Sequence, residues 1–287
     1  MLGEDSPVVF VFGCIADNQS LFIQESMMDS DEHALRQQIM EIGRRLWKKG
    51  FVAANDGNIS VRISDQEILT TPTGVSKGFM TPDMIIKMDM DGNIVIPHGT
   101  HRPSSEVKMH IEVYRQREDV RSVVHAHPPF CTSFAVAGIP LDKCVLPEAV
   151  LTLGAVPIAP YGTPSTTEIP ESITPLIRNS DAVLLANHGA LTLGADLMSA
   201  YYKMETLEHS AGIIHKAIQL GHVDVIPPEA VKKLMDLRRT LNLTGRVNPC
   251  FGKGSYTGTE QEQTLTPGKQ GENRPDSDHS ELKAPLK

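Results

Sequence analysis

The sequence predicts an α/β protein: a single domain with a central, largely antiparallel sheet flanked by helices. Three observations carry this reading. Short segments of alternating or β-branched character occupy the middle of the 287-residue chain. Segments with helical apolar spacing stand before, between and after them, and turn-forming residues join several of the strands directly. A chain of this length buries a substantial core, so the expected organisation is an N-terminal extension over residues 1–30, one folded domain over 31–251 and a tail over 252–287.

Asp31 is placed to cap a first helix in which Leu35, Ile39, Ile42 and Leu46 recur at helical spacing, with Lys48, Lys49 and Gly50 supplying the stop. Residues 58–63, 68–71 and 94–96 read as antiparallel strands, with turns at Asp65-Gln66 and Asp91-Gly92-Asn93. Residues 104–117 open with cap-forming side chains and carry Val107, Ile111 and Tyr114 on one face, which predicts a helix. Residues 120–127 and 182–186 read as strands, each ending at a histidine-bearing turn. Helices near 129–137 and 169–178, a strand around 156–159, a long helix over 196–220 and another over 228–241 complete the domain. From Gly252 onward the residues are mainly Gly, Thr, Gln, Pro, Asp and Lys, and this composition predicts disorder.

Composition narrows the functional classes. With 40% hydrophobic and 22% charged residues the chain has ordinary globular proportions, and no apolar run approaches the ~20 residues of a membrane-spanning helix. A formal charge of −8 argues against broad nucleic-acid binding and for a small-molecule partner. Cys14, Cys131, Cys144 and Cys250 lie far apart without a CxxC pair, so they read as reduced thiols of a cytoplasmic protein. The apolar residues 8–16 follow Glu4 and Asp5 instead of a basic stretch and are not read as a secretion signal. Met27 and Met28 stand just before the first helix pattern and offer an alternative start.

The chemistry-bearing residues are histidines, a carboxylate and loop residues. In Val124-His125-Ala126-His127 the strand alternation puts both histidines on the same side, where they can share an ion. Neutral imidazoles are good zinc ligands, although the short pattern also fits two ordinary strand histidines. His188, in Asn187-His188-Gly189, ends a buried strand, where functional loops gather; its plain alternative is a turn residue with Gly189 supplying backbone freedom. Three histidines would leave a metal position open for substrate. Pro103-Ser104-Ser105-Glu106 opens a helix whose N–H groups and two hydroxyls form a ready anion site, or simply a cap. The segments containing Gly57-Asn58 and Thr73-Gly74 offer groups suited to phosphate oxygens and equally suited to turns.

GNISVR, TPTG, RPSSE, HAH and NHGAL follow one another in this chain, and their order and spacing resemble the class II aldolase/adducin superfamily over about residues 31–221, with most similarity to the L-fuculose-1-phosphate aldolases. The resemblance implies that His125, His127 and His188 bind Zn2+, one per subunit, and that Glu106 is the acid/base group that can also fill the vacant coordination position. It implies that Gly57, Asn58, Thr73, Gly74, Ser104 and Ser105 hold the substrate phosphate. It further implies a homotetramer with sites near subunit interfaces, and cleavage of a ketose 1-phosphate to dihydroxyacetone phosphate and an aldehyde such as lactaldehyde. Zinc, or another divalent metal, could polarise the ketose carbonyl as a Lewis acid, so no Schiff-base lysine is needed. Glu106 would move the proton, provided its pKa is raised toward neutrality.

One departure concerns the aldehyde. The family tyrosine contributed by a neighbouring subunit has no clear counterpart, since residues 144–150 read Cys-Val-Leu-Pro-Glu-Ala-Val. Glu148 and Tyr161 are the accessory candidates, and His110, one turn beyond Glu106, could orient it. Epimerases on this scaffold carry aspartate where Glu106 stands, which favours an aldolase, while decarboxylase and dehydratase activities stay open. The non-enzymatic alternative is an adducin-like interaction module, whose relatives have lost the metal ligands.

Overall fold

The computed structural model describes residues 13–96 and 99–250, with side chains from Asp31 onward and excepting that of Ile96. The expectation of a disordered tail falls outside these residues. Helix α1, Gly13–Lys48, begins well upstream of the predicted start, so Asp31 is inside a helix and caps nothing. Residues 14–30 contain neither proline nor glycine, so nothing there halts the helix. Its far end falls as the sequence predicts: Phe51 N–H reaches back to Leu46, and Gly50 takes a left-handed φ of 71°.

Strands β1 Asn58–Arg62, β2 Glu67–Thr70, β3 Ile86–Asp89, β4 Ile94–Ile96, β5 Ser122–Ala126, β6 Ile158–Ala159, β7 Ala182–Leu185 and β8 Gly189–Gly194 form one sheet in the order β4-β3-β2-β1-β5-β8-β7-β6. All pairings are antiparallel except β6 with β7. Helices α2 Val107–Gln116, α3 Pro129–Ala137, α4 Pro147–Thr152, α5 Glu168–Ile177, α6 Leu197–Gln219 and α7 Pro228–Thr240 surround it. β3, β8 and α4 went unpredicted. β8 begins and ends with glycine and follows β7 after a tight turn, so the two strands merge into one apolar run in the sequence.

The two cores follow from strand alternation. Ile59, Val61, Leu69, Val124, Ala126 and Leu184 face α1, α3 and α6. Ile68, Met88, Val123, Val183, Leu185 and Leu191 face α2 and α5. β5 lies between β1 and β8, so His125 is completely buried and is paired across the ladders with Asn58 on one side and Leu191 on the other. α6 starts with a capping box, in which Asp196 accepts from Ser199 N–H and the Ser199 hydroxyl answers Asp196 N–H.

The reading of four reduced thiols needs correction. Cys144 and Cys250 form a disulfide with Cα atoms 5.5 Å apart, while Cys131 is a buried free thiol; the Cys14 side chain lies outside the described residues. The pairing arises because the chain after α7 folds back on α4. The Arg238 guanidinium donates to the carbonyls of Leu151, Thr244 and Gly245, and Asn248 accepts from Ala155 N–H at 2.8 Å. A bridge across 106 residues leaves no local spacing to read. Among the described residues no helix is long and apolar enough to cross a membrane.

Candidate active site

Side chains from the ends of β1 and β5, the β7–β8 turn and the entry to α2 meet at one end of the sheet. The ligand atoms of His125, His127 and His188 all lie within 4.8 Å of one another. His125 Nδ1 donates to the Ala190 carbonyl at 2.9 Å, which fixes the tautomer and leaves Nε2 with its lone pair toward the cluster. His127 Nε2 is 3.1 Å from His125 Nε2, and His127 Nδ1 faces Asp56 Oδ2 at 3.4 Å. His188 is held in the β7–β8 turn by its own N–H to Leu185, after Asn187 at φ 57°.

Two glycines make the approach possible. Gly189 is needed for space and not for a left-handed backbone: a Cβ there would stand 2.5 Å from the Ala126 carbonyl and 2.7 Å from His127 Cδ2. Gly57 combines a φ of 73° with a Cβ direction only 2.9 Å from the His125 carbonyl.

Glu106 Oε1 lies 3.1 Å from His188 Nε2 and Oε2 lies 3.5 Å from His125 Nε2. Burial pushes this carboxyl up, but the surrounding imidazoles outweigh burial and hold it down at about 2, so the expected rise toward neutrality does not occur. Burial lowers His125 and His127 below the usual histidine value, with neighbouring imidazoles adding to the effect. Both are therefore neutral at pH 7, the form that coordinates metal. Three imidazoles beside an ionised carboxylate suit a divalent ion of borderline softness.

The loop segments also converge. Asn58 Nδ2 donates to Ser104 Oγ at 3.0 Å, Ser104 N–H reaches the Thr71 carbonyl at 3.2 Å, and Thr73 N–H reaches the Arg102 carbonyl at 2.9 Å. Gly57-Asn58, Thr73-Gly74 and Ser104-Ser105 thus belong to one continuous patch beside Glu106. α2 itself begins at Val107, with Glu106 in the cap position and no side-chain cap bond, so the serines precede the helix and do not cap it.

Other candidates stand elsewhere. His110 bonds Ser60 Oγ at 2.7 Å, and the same hydroxyl meets Tyr114; it does not orient Glu106 through a hydrogen bond. Glu148 is exposed on α4 and Tyr161 is exposed after β6, and among the described residues no hydrogen bond or ion pair ties either to the histidines. Three residues near the site carried no assignment in the sequence: Asp56 against His127, Lys77 beneath the loops, and Ser165. Ser165 adopts φ 69° and donates its hydroxyl to Ser105 Oγ at 2.8 Å. Only Asp56, inside the Asn-Asp-Gly-Asn run, had a visible signal.

An antiparallel-rich sheet that brings three imidazoles and a carboxylate together beside loops rich in glycine, amides and hydroxyls has the layout of a metal-dependent enzyme. The chain belongs to the class II aldolase and adducin N-terminal domain family, whose model matches residues 37–215. It is 35% identical over 174 residues to an L-fuculose phosphate aldolase of Methanococcus maripaludis, covering 61% of this chain and 92% of the relative. It is 30% identical over 182 residues to a 3-oxo-tetronate 4-phosphate decarboxylase of Haemophilus influenzae, covering 62% and 85% respectively. Among solved structures, YgbL of Escherichia coli, described as a putative aldolase/epimerase/decarboxylase, superposes with a TM-score of 0.66 at 28% identity, covering 71% of this chain and 98% of that one.

Proposed function

We propose that the protein is a metal-dependent aldolase that cleaves a ketose 1-phosphate, with L-fuculose 1-phosphate the best single candidate, to dihydroxyacetone phosphate and an aldehyde such as lactaldehyde. The observation that carries this reading is the placement of Glu106 between the three histidines and the Asn58–Ser104 patch. In the proposal His125, His127 and His188 hold a zinc ion, with Glu106 able to occupy its open position. A divalent ion there supplies Lewis-acid polarisation of the substrate carbonyl.

The remaining work falls to the chain. Gly57, Asn58, Thr73, Gly74, Ser104 and Ser105 receive the phosphate, which fixes the carbonyl end of the substrate beside Glu106. In the condensing direction the ionised Glu106 takes the proton from the hydroxymethyl carbon next to the carbonyl. In cleavage the hydroxyl on the aldehyde side loses its proton as the carbon–carbon bond breaks, with Glu148 the candidate acceptor, and Glu106 passes a proton from solvent to the hydroxymethyl carbon. A homotetramer is part of the reading, with Glu148 as the accessory group on the neighbouring subunit's aldehyde and Tyr161 as the second candidate. Cytoplasmic placement is also part of it, although the Cys144–Cys250 bond belongs more naturally to an oxidising compartment.

The test is incubation of the zinc-loaded protein with L-fuculose 1-phosphate and enzymatic detection of dihydroxyacetone phosphate. Absence of product there and across a panel of ketose 1-phosphates would sink the aldolase reading. The similarity to 3-oxo-tetronate 4-phosphate decarboxylases supports a second reading, decarboxylation of a phosphorylated keto acid. Release of carbon dioxide from such an acid would select it.

A further inference from the structure

Lys77 is 1% exposed. Lysines almost never go inside without a partner, because desolvating an ammonium costs several kcal/mol. This one lies in the 3-10 turn Lys77–Phe79, directly after the Thr73-Gly74 segment. Its Nζ donates to the Asn55 carbonyl at 2.8 Å and to the Val75 carbonyl at 2.8 Å. Those carbonyls come from the two loops that also contain Gly57-Asn58 and Thr73-Gly74. Both loops are conformationally demanding, with Ala54, Gly57 and Gly74 at φ 44°, 73° and 70°.

A clamp on two carbonyls explains why the side chain points inward, but uncharged donors would serve that purpose at lower cost. The charge has its own use. The carboxylates acting on Lys77 are Asp56, on the loop after α1, and Glu106, at the entry to α2. From α1 it is faced by Gly43, whose missing Cβ leaves room for the Lys77 backbone, and Trp47 packs on the neighbouring Gly78. A phosphate dianion entering beside Asp56 and Glu106 meets two negative groups, and a cation beneath the loops offsets them.

We propose that Lys77 is a positioning residue of the phosphate subsite: its ammonium ties the Asn55 and Val75 loops together and supplies the positive charge behind them. The proposal rests on the phosphate-binding reading above. Burial lowers the Lys77 pKa to about 8, against the opposing pull of Asp56 and Glu106. This gives the role a signature with two opposite signs. Between about pH 8 and the ordinary lysine value of 10.5, the unfolded chain binds more protons than the folded one, so folding stability rises with pH. Over the same range the folded protein loses the ammonium, so phosphate affinity falls. A lysine serving structure alone shows the first trend without the second.

The experiment is calorimetric titration of the metal-loaded protein with methyl phosphate from pH 7.5 to 9.5, a range in which a phosphate monoester stays dianionic. It compares wild type, Lys77→Arg and Lys77→Met, with urea midpoints measured in parallel. The expected result is an affinity loss of about tenfold in wild type across this range, a flatter profile in Lys77→Arg, and in Lys77→Met an affinity already about tenfold weaker at pH 7.5 with little further change. The readout is the difference between profiles, so titrations common to all forms cancel. If one variant fails to fold, wild type against the other carries the comparison. Wild-type affinity that stays flat while stability rises, or profiles that coincide in all three proteins, overturns the proposal. Failure of methyl phosphate to bind wild type at any pH overturns the phosphate reading itself, and the Lys77 role with it.

Discussion

Glu106 is exposed to two opposing influences, burial that favours its acid form and imidazoles that favour its carboxylate, and the imidazoles win. The group is therefore ionised at neutral pH and able to accept a proton, but a carboxylate held this low is a weaker base than one tuned toward neutrality. Replacing it with glutamine keeps the shape and removes the base, so kcat should fall by at least ~100-fold while the metal content of the purified protein stays at wild-type stoichiometry. Loss of metal together with activity would instead assign Glu106 to coordination. His110 provides a pH prediction. Burial depresses it from 6.5 to about 3, so between those values the unfolded chain binds the extra proton and stability declines as pH falls through the window. Urea midpoints measured from pH 7 to 4 should drop, and His110→Gln should make the drop shallower; an unchanged slope would exclude His110 as the source.

At the level of elements, the β7–β8 hairpin determines whether the site forms. Gly189→Ala places a methyl group against the Ala126 carbonyl and His127. It should cost about 1–3 kcal/mol of stability, seen as a lower urea midpoint with weakened metal binding; a neutral variant would contradict the packing described here. The same hairpin shows what the sequence conceals. The strand carrying His125, with His127 one residue past its end, was legible because β-branched alternation announces it, and the turn before α2 was legible from its serines and carboxylate. β8 was not, since its glycines and small residues weaken every strand signal while serving close approach. α1 was misjudged at its start because Asp31 looks like a cap, yet only a competing break upstream would have made it one. Lys77 and Ser165 were invisible for a different reason: a lysine or serine in a loop is ordinarily solvated, and only the tertiary fold reveals what lies against it.

For the whole molecule, the Cys144–Cys250 bond secures the segment after α7 to α4, outside the span that matches the family model. Closing a loop of 106 residues restricts the unfolded chain, and the entropic model sets a ceiling of about 5 kcal/mol on the stabilisation. Denaturation with and without reductant, compared with Cys250→Ser, should show a loss below that ceiling; identical midpoints would mean that the packing of Arg238 alone secures the segment. Metal removal by a chelator should lower the melting temperature by mass action.

The position of β5 in the sheet has a consequence for how the protein is made. His125 bonds Ala190 across 65 residues, and Asn58 meets Ser104 across 46, so the site exists only after distant stretches of chain have found one another. Such contacts form slowly, because loop closure precedes any reward. The nascent polypeptide therefore has no preassembled cage to nucleate around an ion. Supplying zinc during renaturation should leave the rate of regaining the native signal unchanged, while the same zinc added afterwards restores full occupancy.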